Sequence, residues 1–165
     1  MRQGIALLLA AIVAAGCNVV PRKAYDGPSR PSGEVSVLKG GASGDELSRT
    51  SLVDLRAVDG ARQPEASYLL AVLPGRHAIA LSETLRMGGA TRTQFCALHL
   101  DALAGCTYEP RPPSPPSDAL TGRTPDWEWS VDMPVIAECI AGGDYQVRMP
   151  ARCGSSTKLL EGPRP

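Results

Sequence analysis

An all-β domain is predicted by three features of the chain. Apolar and polar residues alternate in short segments at about ten-residue spacing, turn residues fall between those segments, and no stretch keeps a helical period over an ordinary helix length. Composition agrees, because 17 Gly and 15 Pro punctuate the chain while aromatic residues make up only 4%. At 165 residues there is room for one ordinary domain and a tail. The 17 basic and 17 acidic residues balance and form no basic stripe, which removes the electrostatic footprint that nucleic acids require. The expected architecture is a small antiparallel β-sandwich stapled by disulfides. It spans residues 34–153, with a disordered N-terminal signal and tether before it and a flexible tail, 154–165, after it.

The strands follow in order. Glu34 to Lys39 places Val35 and Val37 on one face, and Gly40 to Gly44 is read as a flexible break. In Ser51 to Val58, Val53, Leu55 and Ala57 share a face, and Asp59-Gly60 is a strong hairpin turn. Tyr68 to Leu73 is almost continuously apolar, as in a strand covered on both sides, and Pro74-Gly75 ends it. His77, Ile79 and Leu81 then alternate with small or polar residues, Gly88-Gly89 makes a loop, and Thr93 to Leu100 puts Cys96, Leu98 and Leu100 on one face. Ala104-Gly105 turns the chain into Cys106 to Tyr108. The run Pro110 to Pro116 lacks the N–H groups of a ladder strand, so residues 110–125 are expected as a stiff surface connector. Trp127 to Val131, Val135 to Ile140 and Tyr145 to Met149 complete the set, with Gly142-Gly143 as the last turn.

The N-terminus carries an address. Met1 and Arg2 precede an uncharged apolar run of 11 residues, Ile5 to Ala15, which is too short for a spanning helix of about 20 residues and has the layout of a secretory signal. Val13-Ala14-Ala15-Gly16-Cys17 resembles the lipobox of bacterial lipoproteins. That resemblance implies cleavage after residue 16, diacylglycerol and an N-acyl chain on Cys17, and a tether from 17 to 33. In that family Asp directly after the cysteine tends to retain the protein at the inner membrane. Asn18 stands there, so the periplasmic face of the outer membrane is favoured. The remaining Cys96, Cys106, Cys139 and Cys153 form an even set suited to an oxidising compartment. Three connectivities are possible; Cys96–Cys106 with Cys139–Cys153 is preferred because each pair brackets a short hairpin-like segment, and the crossed pairings stay open.

A second resemblance covers roughly Cys17 to Tyr108. The stretch VDLRAVDGARQPEASYLLAVLPGRHAIAL, Val53 to Leu81, is similar to small bacterial lipoproteins with a PEGA-like β-sandwich module. Tyr25-Asp26-Gly27-Pro28 and the hairpin LHLDALAGCTY, Leu98 to Tyr108, fit the same frame. Those proteins are largely uncharacterised, so the resemblance implies a fold and an address and no reaction.

Residues able to carry chemistry are few. Gly41-Ala42-Ser43-Gly44 lacks nucleophile-elbow spacing, and the acidic Asp45-Glu46 after these glycines opposes a phosphate loop. Cys96-x-x-His99 with Cys106 writes a partial zinc site, but a spacing of three sends Cys96 and His99 to opposite faces of a strand. His77 is expected as a half-buried ring bonded to backbone. Asp126 to Asp132 sends Trp127, Trp129 and Val131 to one side and the acids to the other; the indoles either belong to the core or form a platform for a sugar ring or partner. No metal, cofactor or enzymatic activity is expected. The sequence points to a lipid-anchored binding or assembly module of the envelope, with a glycan- or peptidoglycan-binding module using Trp127 and Trp129 as the alternative.

Overall fold

Alternating apolar residues make strands that need a second apolar face, and here one long sheet supplies both faces by curling on itself. The computed structural model describes residues 19–45, 49–64, 67–87, 90–115 and 127–161. The expected leader 1–16, Cys17 as the expected acylation site, the Gly88-Gly89 loop, the connector beyond Pro115 and residues 162–165 lie outside the described residues. The strands are β1 (Arg22–Lys23), β2 (Ser36–Lys39), β3 (Gly41–Asp45), β4 (Arg49–Val58), β5 (Ala61–Arg62), β6 (Leu69–Val72), β7 (Gly75–Met87), β8 (Ala90–Ala102), β9 (Cys106–Pro110), β10 (Glu128–Cys139) and β11 (Gly143–Gly154). No α-helix occurs among the described residues, and two short 3-10 turns, Ser32–Glu34 and Thr157–Glu161, complete the set.

All-β architecture stapled by two disulfides is what the structure has. The two expected layers are two walls of a single mixed sheet, in the order β1-β6-β2-β9-β10-β11-β8-β7-β4-β3, with β5 on β4. Most junctions are antiparallel; β1 with β6 and β2 with β9 are parallel. The curl follows from Gly40. β2 pairs with β9 and β6, whereas β3, one residue further on, pairs with β4 at the far end of the strand order. One chain segment therefore runs from β2, third in the path, to β3 at its far end, and closes the ring β2-β9-β10-β11-β8-β7-β4-β3, with β6 and β1 continuing beyond β2. A Cβ on residue 40 would lie 2.4 Å from the Val53 carbonyl oxygen, so only glycine lets the strand turn there. The glycines expected as a flexible break are this corner and the strand beyond it.

The enclosed core contains Leu38, Val53, Leu55, Leu70, Ile79, Leu81, Leu98, Leu100, Tyr108, Met133 and Val135. One bulge decides which face β4 presents. The register shifts between Leu55 and Ala57, so Val58 stands opposite Ile79 in the enclosed core and Ala57 stands opposite Ala80 on the other face of the sheet, where both are buried. The expected face of Val53, Leu55 and Ala57 is thus corrected at its last member. Asp59 and Gly60 both take positive φ, 51° and 79°, as a type I′ hairpin turn requires.

The disulfides correct the preferred pairing. The bonds are Cys96–Cys153 and Cys106–Cys139, with Cα–Cα distances of 4.1 Å in both. Each joins residues directly opposite on neighbouring strands. Cys96 and Cys106 are successive cysteines in the chain, but β8 and β9 do not pair, so no hairpin brings them together. Cys139 lies at the turn of the β10–β11 hairpin while Cys153 faces Trp129, ten residues along the ladder, or roughly 33 Å at about 3.3 Å per residue. The observed bonds close 57 and 33 residues, which in the chain-entropy model is worth about 4 kcal/mol each.

Three more expectations change. Val135 to Ile140 is not a separate strand, because β10 runs through Pro134, whose carbonyl accepts Arg111 N–H on the side away from β11. The tether docks early, with Arg22–Lys23 pairing with Leu70 and Ala71, and Ala24 packing against the core. The chain after Cys153 is held through the second 3-10 turn, whose Leu159 is 9% exposed against the outer face of β7 and β8.

Gly40→Ala is expected to lower the unfolding free energy by about 2 kcal/mol or more, because backbone has to move to admit the methyl group. Gly33→Ala, where nothing lies within 4 Å of the new carbon, is expected to stay within about 0.5 kcal/mol in the same urea titrations.

Candidate functional site

Along three neighbouring strands, β8, β11 and β10, the outward residues build a broad groove of about 860 Å³. Register sets its rows. Arg152 stands between Ala97 and Ser130, Pro150 stands opposite Asp132, and His99 lines the groove just past Leu98, where the β8–β11 pairing ends. The groove ends at Lys158 and Leu159 of the C-terminal 3-10 turn. The Arg152 guanidinium pairs with the Glu128 carboxylate at 2.5 Å, both side chains being exposed. His99, Asp132 and Lys158 are left facing the groove with Ser130 and Ser156. Among the described residues no hydrogen bond joins His99 to either serine or to an acid, so base, nucleophile and orienting carboxylate are not assembled. The surface is suited to polar and charge-paired contacts.

The residues singled out from the sequence fall differently. Trp129 packs against the core, and its Nε1 is buried without a partner. Trp127 is half-buried, and its backbone is clasped by Ser155, whose N–H donates to the Trp127 carbonyl at 3.0 Å. Glu128, Ser130 and Asp132 are exposed on the opposite face, as alternation predicts. Cys96 faces the core and His99 the groove, and Cys96 and Cys106 sit in separate disulfides. His77 is 13% exposed, with Nδ1 2.7 Å from Asp59 Oδ2 and Nε2 2.7 Å from the Leu73 carbonyl. Asp59 also accepts the Ala78 N–H at 2.8 Å, so the pair locks the Asp59-Gly60 turn to the start of β7.

Sequence reasoning missed a buried polar cluster inside one end of the ring. Glu83 and Gln94 are 2% and 1% exposed and stand opposite one another on β7 and β8. Ser51 Oγ and Gln94 Nε2 both donate to the Glu83 carboxylate, and Gln94 Nε2 also donates to the Pro113 carbonyl at 3.0 Å. Gln94 thereby ties the proline-rich strap, with Pro115 buried, across the end of the barrel. The signal was available: Glu83 continues the inward series Ile79, Leu81, and Gln94 begins the inward series Cys96, Leu98. A cavity of about 240 Å³ beside Glu83 is rimmed by Lys39, Glu109 and Arg111. Glu109 binds Lys39 at 2.9 Å and Arg111 at 3.0 Å. Burial pushes its carboxyl up, but the two cations outweigh burial and hold it below the usual carboxylate range.

Removing one member of a buried network strands the other, whereas removing both is far cheaper. Gln94→Leu alone is expected to cost about 2 kcal/mol. Adding Glu83→Leu is expected to cost clearly less than the sum of the singles in urea unfolding. At Glu109 the sign follows from the lowered folded value: stabilisation is present above the unfolded pKa of about 4.3 and is lost as pH falls through the folded one. The stability gap between wild type and Glu109→Gln is therefore expected to be widest near neutrality and to close on acidification.

No family model, no curated protein and no solved structure matches this chain.

Proposed function

We propose that the protein is a non-enzymatic, lipid-anchored module of the bacterial envelope that engages a partner through the groove over β8, β11 and β10. One observation carries the address: all four cysteines after Cys17 are joined in two bonds between adjacent strands. Such bonds persist in oxidising compartments and are rare in reducing ones. The short apolar leader and the lipobox-like Val13-Ala14-Ala15-Gly16-Cys17 supply the route and the anchor. The periplasmic face of the outer membrane is the favoured side, with Asn18 after the cysteine.

An acylated Cys17 would hold the start of β1 close to the bilayer. Only five residue steps separate it from β1, so the body would lie within about 17 Å of the bilayer, at most about 3.5 Å per residue. A partner would then be reached at the membrane surface. The groove supports a binding role because Glu128, Ser130, Asp132, Arg152 and Lys158 present accessible polar side chains along it. A glycan would meet that polar face, since the indole of Trp129 is turned into the core.

Cys17→Ser expressed with the intact leader is expected to move the protein from the detergent phase to the aqueous phase of a Triton X-114 partition. Intact mass of the wild-type chain should show the lipid, and four thiols should appear only after reduction. A wild-type chain without lipid, or cysteines alkylated without reduction, removes the envelope reading. Arg152→Glu in the acylated chain is expected to reduce photocrosslinking to envelope partners from a probe at Ser130; unchanged crosslinking removes the groove.

A further inference from the structure

The ring of strands is incomplete along one edge. β11 runs from Gly143 to Gly154, yet it pairs with β8 only over Ala151 to Gly154. Pro150 has no N–H to offer β8, and pairing stops there. From Gly143 to Pro150 the strand has β10 on one side and, among the described residues, no strand on the other. An unpaired edge of this length is a template for another strand.

Its side chains specify which strand. On the outward face Asp144, Gln146 and Arg148 are all exposed, and on the inward face stand Tyr145 and Val147. Asp144 lies directly opposite Glu138 on β10, a like-charge pair that is unfavourable in a ladder. Among the described residues no cation pairs with either acid, and Arg148, opposite Pro134, pairs with no acid. The hairpin thus carries surplus negative charge at one end of the free edge and surplus positive charge at the other.

We propose that this edge pairs with the same edge of a second copy, antiparallel about a two-fold axis through Gln146. In that register Asp144 stands beside the second copy's Arg148, and Arg148 beside its Asp144. Tyr145 meets the second copy's Val147 on the inward face. Centring the pairing on Val147 puts Asp144 opposite Pro150, and centring it on Tyr145 puts Asp144 opposite Gln146, so only the Gln146-centred register matches both charges. Each row then reads Glu138, Asp144, Arg148, Pro134 across four strands, which places a cation next to the acidic pair. A two-fold contact of this kind is self-limiting, because the pairing uses this same edge of both copies. About eight residues a side give a contact below the usual size of a permanent interface, so the association is reversible.

The test uses the full mature chain carrying Cys17→Ser, followed by sedimentation over a concentration series. Wild-type side chains on the edge are expected to give a monomer–dimer equilibrium that weakens with added salt. Asp144→Arg and Arg148→Asp are each expected to weaken dimerisation at least about tenfold, and the double reversal to restore it to within a few-fold. Asp144→Arg also relieves the repulsion with Glu138, so the monomer should unfold at equal or higher urea while the dimer is lost; damage to the fold would move both together. A monomer at every concentration overturns the proposal. So does a dimer that the single reversals leave unchanged, or one that the double reversal fails to restore.

Discussion

The approach of residue 40 to the Val53 carbonyl is the constraint on which the rest of the structure depends. A sheet with this strand order has two ends, and each end exposes unpaired N–H and C=O groups unless something covers it. Here the chain bends between β2 and β3, so that β2 pairs near one end of the order and β3 forms the other end. The bend requires backbone to pass where a side chain would sit, and Gly40 provides the room. Once the ring is closed, the inward residues of β4, β7, β8, β9, β10 and β11 face one another, and a core exists without any helix to cover the sheet. Close approach is used again where Gly154 passes the Trp127 carbonyl, bringing the C-terminal 3-10 turn down onto the outer face.

A core of this kind is thin. It holds Tyr108 as its one fully buried aromatic side chain among the described residues, and the remainder is aliphatic, methionine and cystine. Tyr108 is fixed by both ends: the ring fills the interior, and the hydroxyl accepts the Leu103 N–H at 2.9 Å. Burial pushes its phenol pKa up, more than the Leu103 hydrogen bond lowers it. The two disulfides compensate for the small apolar area by constraining the unfolded chain, and they span the junctions that sequence-local contacts do not secure. Cys106–Cys139 fixes β9 to β10, and Cys96–Cys153 fixes β8 to β11, both between strands distant in sequence.

Local features of the fold were legible because they rest on local physics. Alternation located β2, β4 and β7 to β9, a continuous apolar run located β6, and the Asp59-Gly60 and Ala104-Gly105 turns followed from the residues that tolerate positive φ. What depended on long-range pairing was not legible. The disulfide choice failed because sequence nearness was taken for spatial nearness, whereas β8 turns away from β9 and joins β7 and β11. Ala57 was misplaced by one bulge, which no composition rule announces, and a one-residue shift exchanges the faces of everything after it. Of the candidate site, the outward face of Glu128, Ser130 and Asp132 was readable from parity; Arg152 and Lys158 join it only because β11 and the last turn return to β10. Glu83 and Gln94 were readable in principle as polar residues in inward positions.

Those two kinds of polar residue divide the labour of the molecule. Glu83, Gln94, His77 and Asp59 are held by hydrogen bonds within the fold: Glu83 by Ser51 and Gln94 on its neighbouring strands, Gln94 also to the proline strap, and His77 with Asp59 at the hairpin turn. A group fixed in this way has little interaction energy left for a ligand. Asp132, Lys158, Asp144 and Arg148 are exposed and lie on a groove or along a strand edge. Being already solvated, they are poor contributors to stability, since exposed charges gain little from pairing within the fold. They gain when water is displaced by a complementary surface, where the same charges also select the partner and its register. The barrel end closed by Gln94 and the hairpin edge left unpaired from Gly143 to Pro150 thus treat polar groups in opposite ways: one buries them against the strap, and the other leaves them in water.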